Sequence, residues 1–137
     1  MKNWFYFIAG VILGLGAISH TFAYGVGVGF PILHSSNLDP HTISVFTFNH
    51  HMIGIIDLFF GTVLIFMAFQ KSVEKVKLTA WLITVIIFAR WIIMILTYII
   101  IMPDTSYVMD LLTSSIAFLA MLVLLLLGTI VKEKSKQ

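Results

Sequence analysis

Ionisable side chains interrupt the long apolar runs of this sequence at a few positions, which are His20, His50, His51, Asp57, Arg90 and Asp110. Imidazole and carboxylate groups bind transition metals, and two imidazoles can ligate the iron of a b-type haem. The same groups can hydrogen-bond the polar head of a lipophilic molecule. An ionisable group inside a membrane costs at least about 2.5–3.5 kcal/mol, so such groups normally face the interior of a helix bundle. These residues are therefore candidates for a binding site.

Four apolar runs are long enough to position these side chains within a membrane. Hydrophobic residues make up 60% of the 137-residue chain and charged residues only 10%, less than a soluble domain carries. A bilayer core needs about 20 apolar residues per helix, and we predict helices at residues 4–24, 45–69, 78–101 and 106–130. The predicted fold is all-α, with residues 1–137 forming a single domain, an integral membrane up-down four-helix bundle. Residues 25–44, rich in Gly, Pro and Ser, are predicted to form a long outer loop.

Lysines are confined to one side of this predicted topology. They lie in the N-terminal segment, the connection between the second and third spans and the C-terminal tail, as Lys2, Lys71, Lys75, Lys77, Lys132, Lys134 and Lys136. By the positive-inside rule, both termini are predicted to be cytoplasmic and the protein to lie in the cytoplasmic membrane, the inner membrane of a bacterium. The net charge of +2 is then a topology signal, and we expect no nucleic-acid partner. Because the chain has no cysteine, it cannot form thiolate-ligated haem or iron–sulfur clusters.

Small and polar residues recur at helical spacing along three of the spans. The second span places on one helix face His50, Gly54, Asp57 and Gly61. The fourth span has a similar stripe of Asp110, Ser114, Ala117, Met121 and Gly128, and the first span has one of Ala9, Gly16 and His20. Since small residues allow membrane helices to approach closely, we predict that these three stripes face the interior of the bundle.

Convergence of the stripes would create a polar pocket that opens toward the outer surface. Its predicted lining is His20, His50, His51, Asp57, Arg90, Asp110 and Ser114. The outer layer would contain His20, His50 and Asp110. Asp57 and Arg90 are each near the middle of a span, and we predict that they form an ion pair about 10 Å deeper, since helical residues rise about 1.5 Å each. His51 points about 100° away from His50, to the pocket edge or to a neighbouring helix.

Several ligands suit such a pocket. His20, His50 and Asp110 could bind a transition metal as two histidines and one carboxylate. A b-type haem could instead have His20 as one axial ligand and His50 or His51 as the other. A lipid-like or quinone-like molecule could place its polar head against the histidines and Arg90. The side chains could also hydrogen-bond only one another, and the sequence leaves these alternatives open.

Two classes of function follow from these alternatives. The first is a membrane protein that binds a metal, a haem or a lipophilic ligand in its outer half. The second is a non-catalytic accessory or assembly subunit of a larger membrane complex, in which the buried polar residues are structural. We expect membrane lipid and a lipophilic small molecule as partners, and both a homo-oligomer and a larger complex are compatible with the sequence. The sequence does not decide whether the protein is an enzyme.

The pattern resembles that of the small bacterial four-span membrane proteins of the DoxX-like kind. The residues that carry the resemblance are His20 and Thr21 at the end of the first span, the second-span run "HHMIGIIDLFFG", and Pro103 after the third span. It extends over most of the chain and implies a four-span membrane fold. It assigns no catalytic residue.

Overall fold

The computed structural model describes residues 3–72, 74–101 and 108–130, apart from the side chains of Tyr24, Ile101 and Asp110. Its helices are α1 (Trp4–Ile18), α2 (Phe30–Ser35), α3 (Pro40–Ala68), α4 (Glu74–Ile101) and α5 (Val108–Ile130). A π-helical segment, Ser19–Gly29, joins α1 to α2. Within the described ranges, four helical stretches are long and apolar enough to cross a membrane, the first of which combines α1, the π-helical segment and α2. The predicted all-α fold with four such stretches is confirmed, while Pro103 lies outside the described residues.

The prediction of a long loop over residues 25–44 is wrong. The first helical stretch continues to residue 35 and α3 starts at residue 40, so the connection consists of residues 36–39. Proline was a misleading signal, because Pro31 lies in the first turn of α2 and Pro40 is the first residue of α3. Pro40 sacrifices no necessary N–H group because it starts a helix, whereas Pro31 lies within the continuous helical stretch that ends at residue 35.

A side-chain cap explains why α3 begins earlier than predicted. Asp39 Oδ1 accepts hydrogen bonds of 3.0 Å from the backbone N–H groups of His41 and Thr42, and its Oδ2 accepts one from the Thr42 hydroxyl. These bonds satisfy N–H groups that the first helical turn cannot pair. The Thr42 hydroxyl, followed by the backbone bonds, holds the pKa of Asp39 below its ordinary value.

Glycines set the close packing of α1 against α3. A Cβ atom at Gly10 would lie 2.7 Å from the carbonyl oxygen of Gly61, and one at Gly61 would lie 2.8 Å from the carbonyl oxygen of Gly10. Nearer the connection to α3, a Cβ at Gly54 would lie 1.7 Å from Thr21 Oγ1. Gly54 and Gly61 are both buried, so the predicted inward face of the second span is confirmed at these two positions.

The inward face of the first span differs from the predicted stripe. The buried residues of α1 are Tyr6, Ala9, Gly10 and Ala17, whereas Gly16 and His20 are exposed. The buried face therefore contains Ala17 instead of its neighbour Gly16, a rotation of about 100°. Small residues occur on several sides of α1, so their spacing alone did not identify the face that packs on α3.

Asn3 ties three helices together where α3 and α5 finish, which we call the terminal end of the bundle. Its backbone N–H donates to the carbonyl oxygen of Ala68 over 2.9 Å, and its side-chain Nδ2 donates to that of Gly128 over 2.8 Å. Tyr6 is fully buried beside Gly128, where a Cβ would lie 2.3 Å from the tyrosine ring. These contacts place the start of α1 beside the ends of α3 and α5, so α1 is antiparallel to both.

The remaining helices form a second pair, in which α4 packs on α5. The Trp91 indole N–H of α4 donates to the Ser115 hydroxyl of α5 over 3.2 Å. The bundle thus consists of an α1–α3 pair and an α4–α5 pair, which are joined by the packing of α1 on α5 and by the ion pair described below. Many large apolar side chains are exposed on the described surface, as expected for helices that face lipid.

Candidate functional site

Asp57 of α3 and Arg90 of α4 form an ion pair between the two helix pairs. Nη1 of Arg90 donates to Oδ1 of Asp57, and Nη2 donates to Oδ2 over 3.1 Å. The Asp57 side chain is 15% exposed and the Arg90 side chain is 29% exposed. Two parallel hydrogen bonds between a guanidinium and a carboxylate are the strongest geometry for such a pair. The predicted pairing of Asp57 with Arg90 is confirmed.

A cavity of about 200 Å³ lies beside this ion pair. Residues of all four helical stretches line it, namely Ile12, Leu13, Gly16, Ala17, Asp57, Ile87, Arg90, Ala117, Phe118 and Met121. Asp57 and Arg90 are the charged members of this lining, and the rest is apolar. Ile12, Gly16 and Ala117 are exposed, so the cavity opens toward the surface of the bundle. We call it the central cavity.

The histidines form a separate cluster near the 36–39 connection, which we call the turn end. The rings of His20 and His50 stack with centroids 4.3 Å apart and an angle of 31° between their planes. Phe30 contacts both histidines of the adjacent pair, with centroids 5.3 Å from His50 and 5.2 Å from His51. The predicted proximity of His20 and His50 is thus present. Neither ring is part of the lining of the central cavity.

A backbone hydrogen bond fixes the orientation of His50. Its Nε2 lies 3.0 Å from the carbonyl oxygen of His20, and because a carbonyl can only accept, Nε2 carries the proton. Gly25, in the π-helical segment, allows this approach, since a Cβ there would lie 2.4 Å from His50 Nε2. Gly25 lies in residues 25–44, which the sequence predicted as a loop, and in the structure it makes room for the His50 ring.

The structure separates the predicted pocket into parts. Asp57 and Arg90 line the central cavity, while His50 lines a cavity next to Gly25 and Phe30. His51 faces neither of these and lines two cavities on another side of α3. Ser114 is partly buried on α5 and is not among the residues that line the central cavity.

The metal hypothesis and the haem hypothesis have different outcomes. Among the described residues, no group of three or more His, Asp or Glu side chains is placed to hold a metal ion. The metal hypothesis needs Asp110, whose side chain lies outside the described part of the chain, so it stays a prediction. Haem ligands lie on opposite faces of a porphyrin, and the stacked rings of His20 and His50 leave no space for a porphyrin between them. This arrangement does not fit a haem held by those two residues.

Sequence reasoning missed most of the apolar lining of the central cavity. Ile12, Leu13, Ile87 and Phe118 look like any other apolar residue of a membrane helix, and nothing in their spacing separates them from lipid-facing neighbours. Ala117 and Met121 belonged to the predicted inward stripe of the fourth span, and Gly16 to that of the first. The predicted stripes were thus the available signal for the cavity, although Gly16 lies beside the buried face of α1 and not on it.

No protein-family model, curated protein sequence or solved structure matches this chain. The resemblance to DoxX-like proteins consequently stays a prediction. Inference about function depends on the geometry of the chain's own residues.

Proposed function

We propose that this chain is a multi-pass membrane protein that binds an uncharged lipophilic molecule in the central cavity. The observation that carries the proposal is the lining of that cavity, in which a single guanidinium–carboxylate pair lies in an otherwise apolar wall. Ligand pockets are typically apolar, with a few polar groups that orient the ligand. A lipid-like or quinone-like molecule has the matching chemistry, because it joins an apolar body to a few oxygen atoms.

The ion pair favours a ligand without net charge. Asp57 and Arg90 neutralise one another, so an ionised ligand would bring an unbalanced charge into an apolar cavity, which is energetically costly. Arg90 has five N–H donors, of which the pair uses two. The remaining donors suit a carbonyl or hydroxyl oxygen. A ligand oxygen can therefore bind Arg90 without breaking the pair.

The size of the central cavity suits a head group better than a whole lipid. Pockets for complete small ligands are commonly about 300–1,000 Å³, whereas this cavity measures about 200 Å³. Because Ile12, Gly16 and Ala117 are exposed, the rest of the ligand can extend outward between α1 and α5. The head would thus be held by protein and the tail by the surrounding lipid.

The positive-inside rule predicts which end of the bundle faces the cytoplasm. Lys71, Lys75 and Lys77 lie beside the terminal end, so that end is assigned to the cytoplasmic side of the cytoplasmic membrane. The turn end, with its histidines, is then on the outer side. Both termini are cytoplasmic in this orientation.

Extraction of bound molecules from the purified protein tests the proposal. The protein would be purified in mild detergent, and its absorption spectrum, metal content and extractable organic molecules would be measured. Ala117→Phe places a large side chain at the cavity rim and should abolish the bound molecule, whereas Ala120→Phe changes an exposed residue outside the lining and should retain it. Equal occupancy in the two variants, or no bound molecule in the wild type, would contradict the proposal and favour an accessory subunit with a structural ion pair. A Soret band or stoichiometric metal would favour a cofactor instead.

A further inference from the structure

A second groove follows the seam between the first helical stretch and α3. It has a volume of about 260 Å³ and an almost entirely apolar lining of Ala17, Ile18, Thr21, Phe22, His51, Gly54, Ile55 and Leu58. Ile18, Phe22 and Ile55 are 49%, 64% and 59% exposed, so the groove is open to whatever surrounds the bundle. On α3, its residues occupy positions that share one helix face, different from the face of Asp57. We call it the seam groove.

A larger and more polar cleft lies directly above the seam groove at the turn end. Its volume is about 590 Å³, and its lining is His34, Pro40, Ile43, Ser44, Thr47, Phe48 and His51. His51 belongs to both linings and so connects the cleft to the groove. The combined surface is polar at its turn end and apolar further along α3, which is the polarity of a membrane lipid.

We propose that the cleft and the seam groove together bind one bilayer phospholipid. In this arrangement, the imidazoles of His34 and His51 hydrogen-bond the phosphate, and one acyl chain follows the seam groove past Ile55 to Leu58. The site is separate from the central cavity and does not depend on the function proposed for that cavity.

The length of the seam groove fits within one leaflet. From His51 to Leu58, α3 rises by about 10 Å, and from Pro40 to Leu58 by about 27 Å, at about 1.5 Å per residue. Half of a bilayer is about 15 Å of hydrocarbon, or about 20–22 Å with the head-group region. The groove thus covers most of the hydrocarbon depth of one leaflet, and the cleft extends from its upper end through the head-group level and a few ångströms beyond it.

The turn end offers hydrogen-bond donors that suit the oxygen atoms of a phosphate. Residues 30–50 contain no lysine or arginine, so imidazole, hydroxyl and amide groups are the side-chain donors available there. Asp39 is the one acidic residue in that range, and its carboxylate already accepts hydrogen bonds from His41 and Thr42. The exposed Ser44 hydroxyl is a further donor in the cleft.

Thr21 is a buried polar residue in the lining of the seam groove. It is only 8% exposed, and its hydroxyl has no hydrogen-bond partner among the described residues. It packs on Gly54, which lies about 4.5 Å deeper than His51 along α3. The ester linkages of a phospholipid lie just below the phosphate, at a similar depth. Rotation of the Thr21 side chain would direct its hydroxyl toward an ester oxygen.

Native mass spectrometry with dioleoylphosphatidylglycerol tests this proposal. The lipid would be titrated into the intact protein in mild detergent, and the Kd of the first bound molecule would be measured. Changing both His34 and His51 to alanine should raise this Kd at least about tenfold, since two hydrogen bonds to the phosphate are lost. Ile55→Trp, which fills the groove, should raise it by a similar factor. Ile53→Trp is the matched control, because Ile53 is also exposed on α3 but lies outside the groove.

Two results would overturn the proposal. One is behaviour expected for unspecific lipid around the bundle. It would appear as the same Kd in the wild type and all these variants, or as a loss of affinity in Ile53→Trp as large as in Ile55→Trp. The other is equally tight binding of dioleoylglycerol, which lacks the phosphate. Unchanged thermal unfolding of the variants would show that a loss of lipid does not reflect unfolding. Ala117→Phe in the central cavity should leave this Kd unchanged, so the two sites can fail independently.

Discussion

Replacing Asp57 with asparagine would leave the Arg90 guanidinium without a counter-ion inside the bundle. The native side chains share two hydrogen bonds and are only 15% and 29% exposed. Two unit charges about 4 Å apart attract by about 4 kcal/mol at an effective dielectric constant of about 20, and removal of one partner of a buried pair costs about 3–5 kcal/mol. We expect Asp57→Asn to lower the free energy of unfolding by about 3 kcal/mol, at the low end because Arg90 is partly exposed.

Combining Asp57→Asn with Arg90→Gln should restore part of this loss. The double variant contains no unpaired charge, so it should be more stable than either single variant, with a coupling energy of about 3–4 kcal/mol. Glu74 and Lys77 provide the matched control, since they form a 3.4 Å ion pair with side chains that are 75% and 44% exposed. Their coupling energy should be below about 0.5 kcal/mol.

Unfolding of all variants would be followed by circular dichroism during titration with sodium dodecyl sulfate in mixed micelles. This assay measures the free energy of unfolding of the whole helical bundle. A double variant less stable than both single variants would refute the role of charge compensation. A coupling energy no larger than that of the Glu74–Lys77 control would do the same, because the ion pair would then contribute no more than a surface pair.

Three other changes test the packing and capping. Gly61→Ala should lower the free energy of unfolding by about 1–3 kcal/mol, because its Cβ would overlap the α1 backbone, whereas Gly14→Ala, which has open space, should not destabilise in the same titration. Asn3→Ala should cost about 1–3 kcal/mol, since a buried carbonyl oxygen of α5 loses its donor, and an unchanged midpoint would exclude this contact as a tie. The lowered pKa of Asp39 means that its stabilisation is complete above pH 3.8 and is lost as the pH falls through that lowered pKa; Asp39→Asn should remove this dependence from acid-unfolding curves.

The ion pair was predictable because charge at membrane depth has few alternatives. Asp57 and Arg90 are each near the middle of an apolar run, and two antiparallel runs bring such positions to the same level. The glycines at positions 54 and 61 were predictable for a similar reason, since small residues at helical spacing mark close contact in membranes. Both inferences depend on a strong physical constraint: a charge at membrane depth needs a partner, and a close contact between helices needs a small residue.

The turn end was mispredicted because its glycine and proline residues were interpreted as loop residues, whereas in the structure Gly25, Pro31 and Pro40 lie in helical segments. Gly25 permits His50 to reach a backbone carbonyl, Pro40 begins α3, and Pro31 lies inside the continuous first helical stretch. The π-helical winding of Ser19–Gly29 changes which residues share a face. An α-helical period extended through the first span therefore could not show which of its residues face α3. These outcomes depend on tertiary contacts that periodicity does not contain.

The separation of the histidines from the ion pair changes what the central cavity can do. With His20 and His50 stacked on one another near Phe30, the polar contact that the described side chains offer a ligand in the cavity is the Asp57–Arg90 pair. That same pair joins the α1–α3 unit to the α4–α5 unit. A ligand oxygen that binds the free N–H donors of Arg90 would leave this link intact, whereas a carboxylate ligand would compete with Asp57 for Arg90 and weaken it. In the proposed function, stability of the bundle and selectivity for uncharged ligands would therefore depend on the same two side chains.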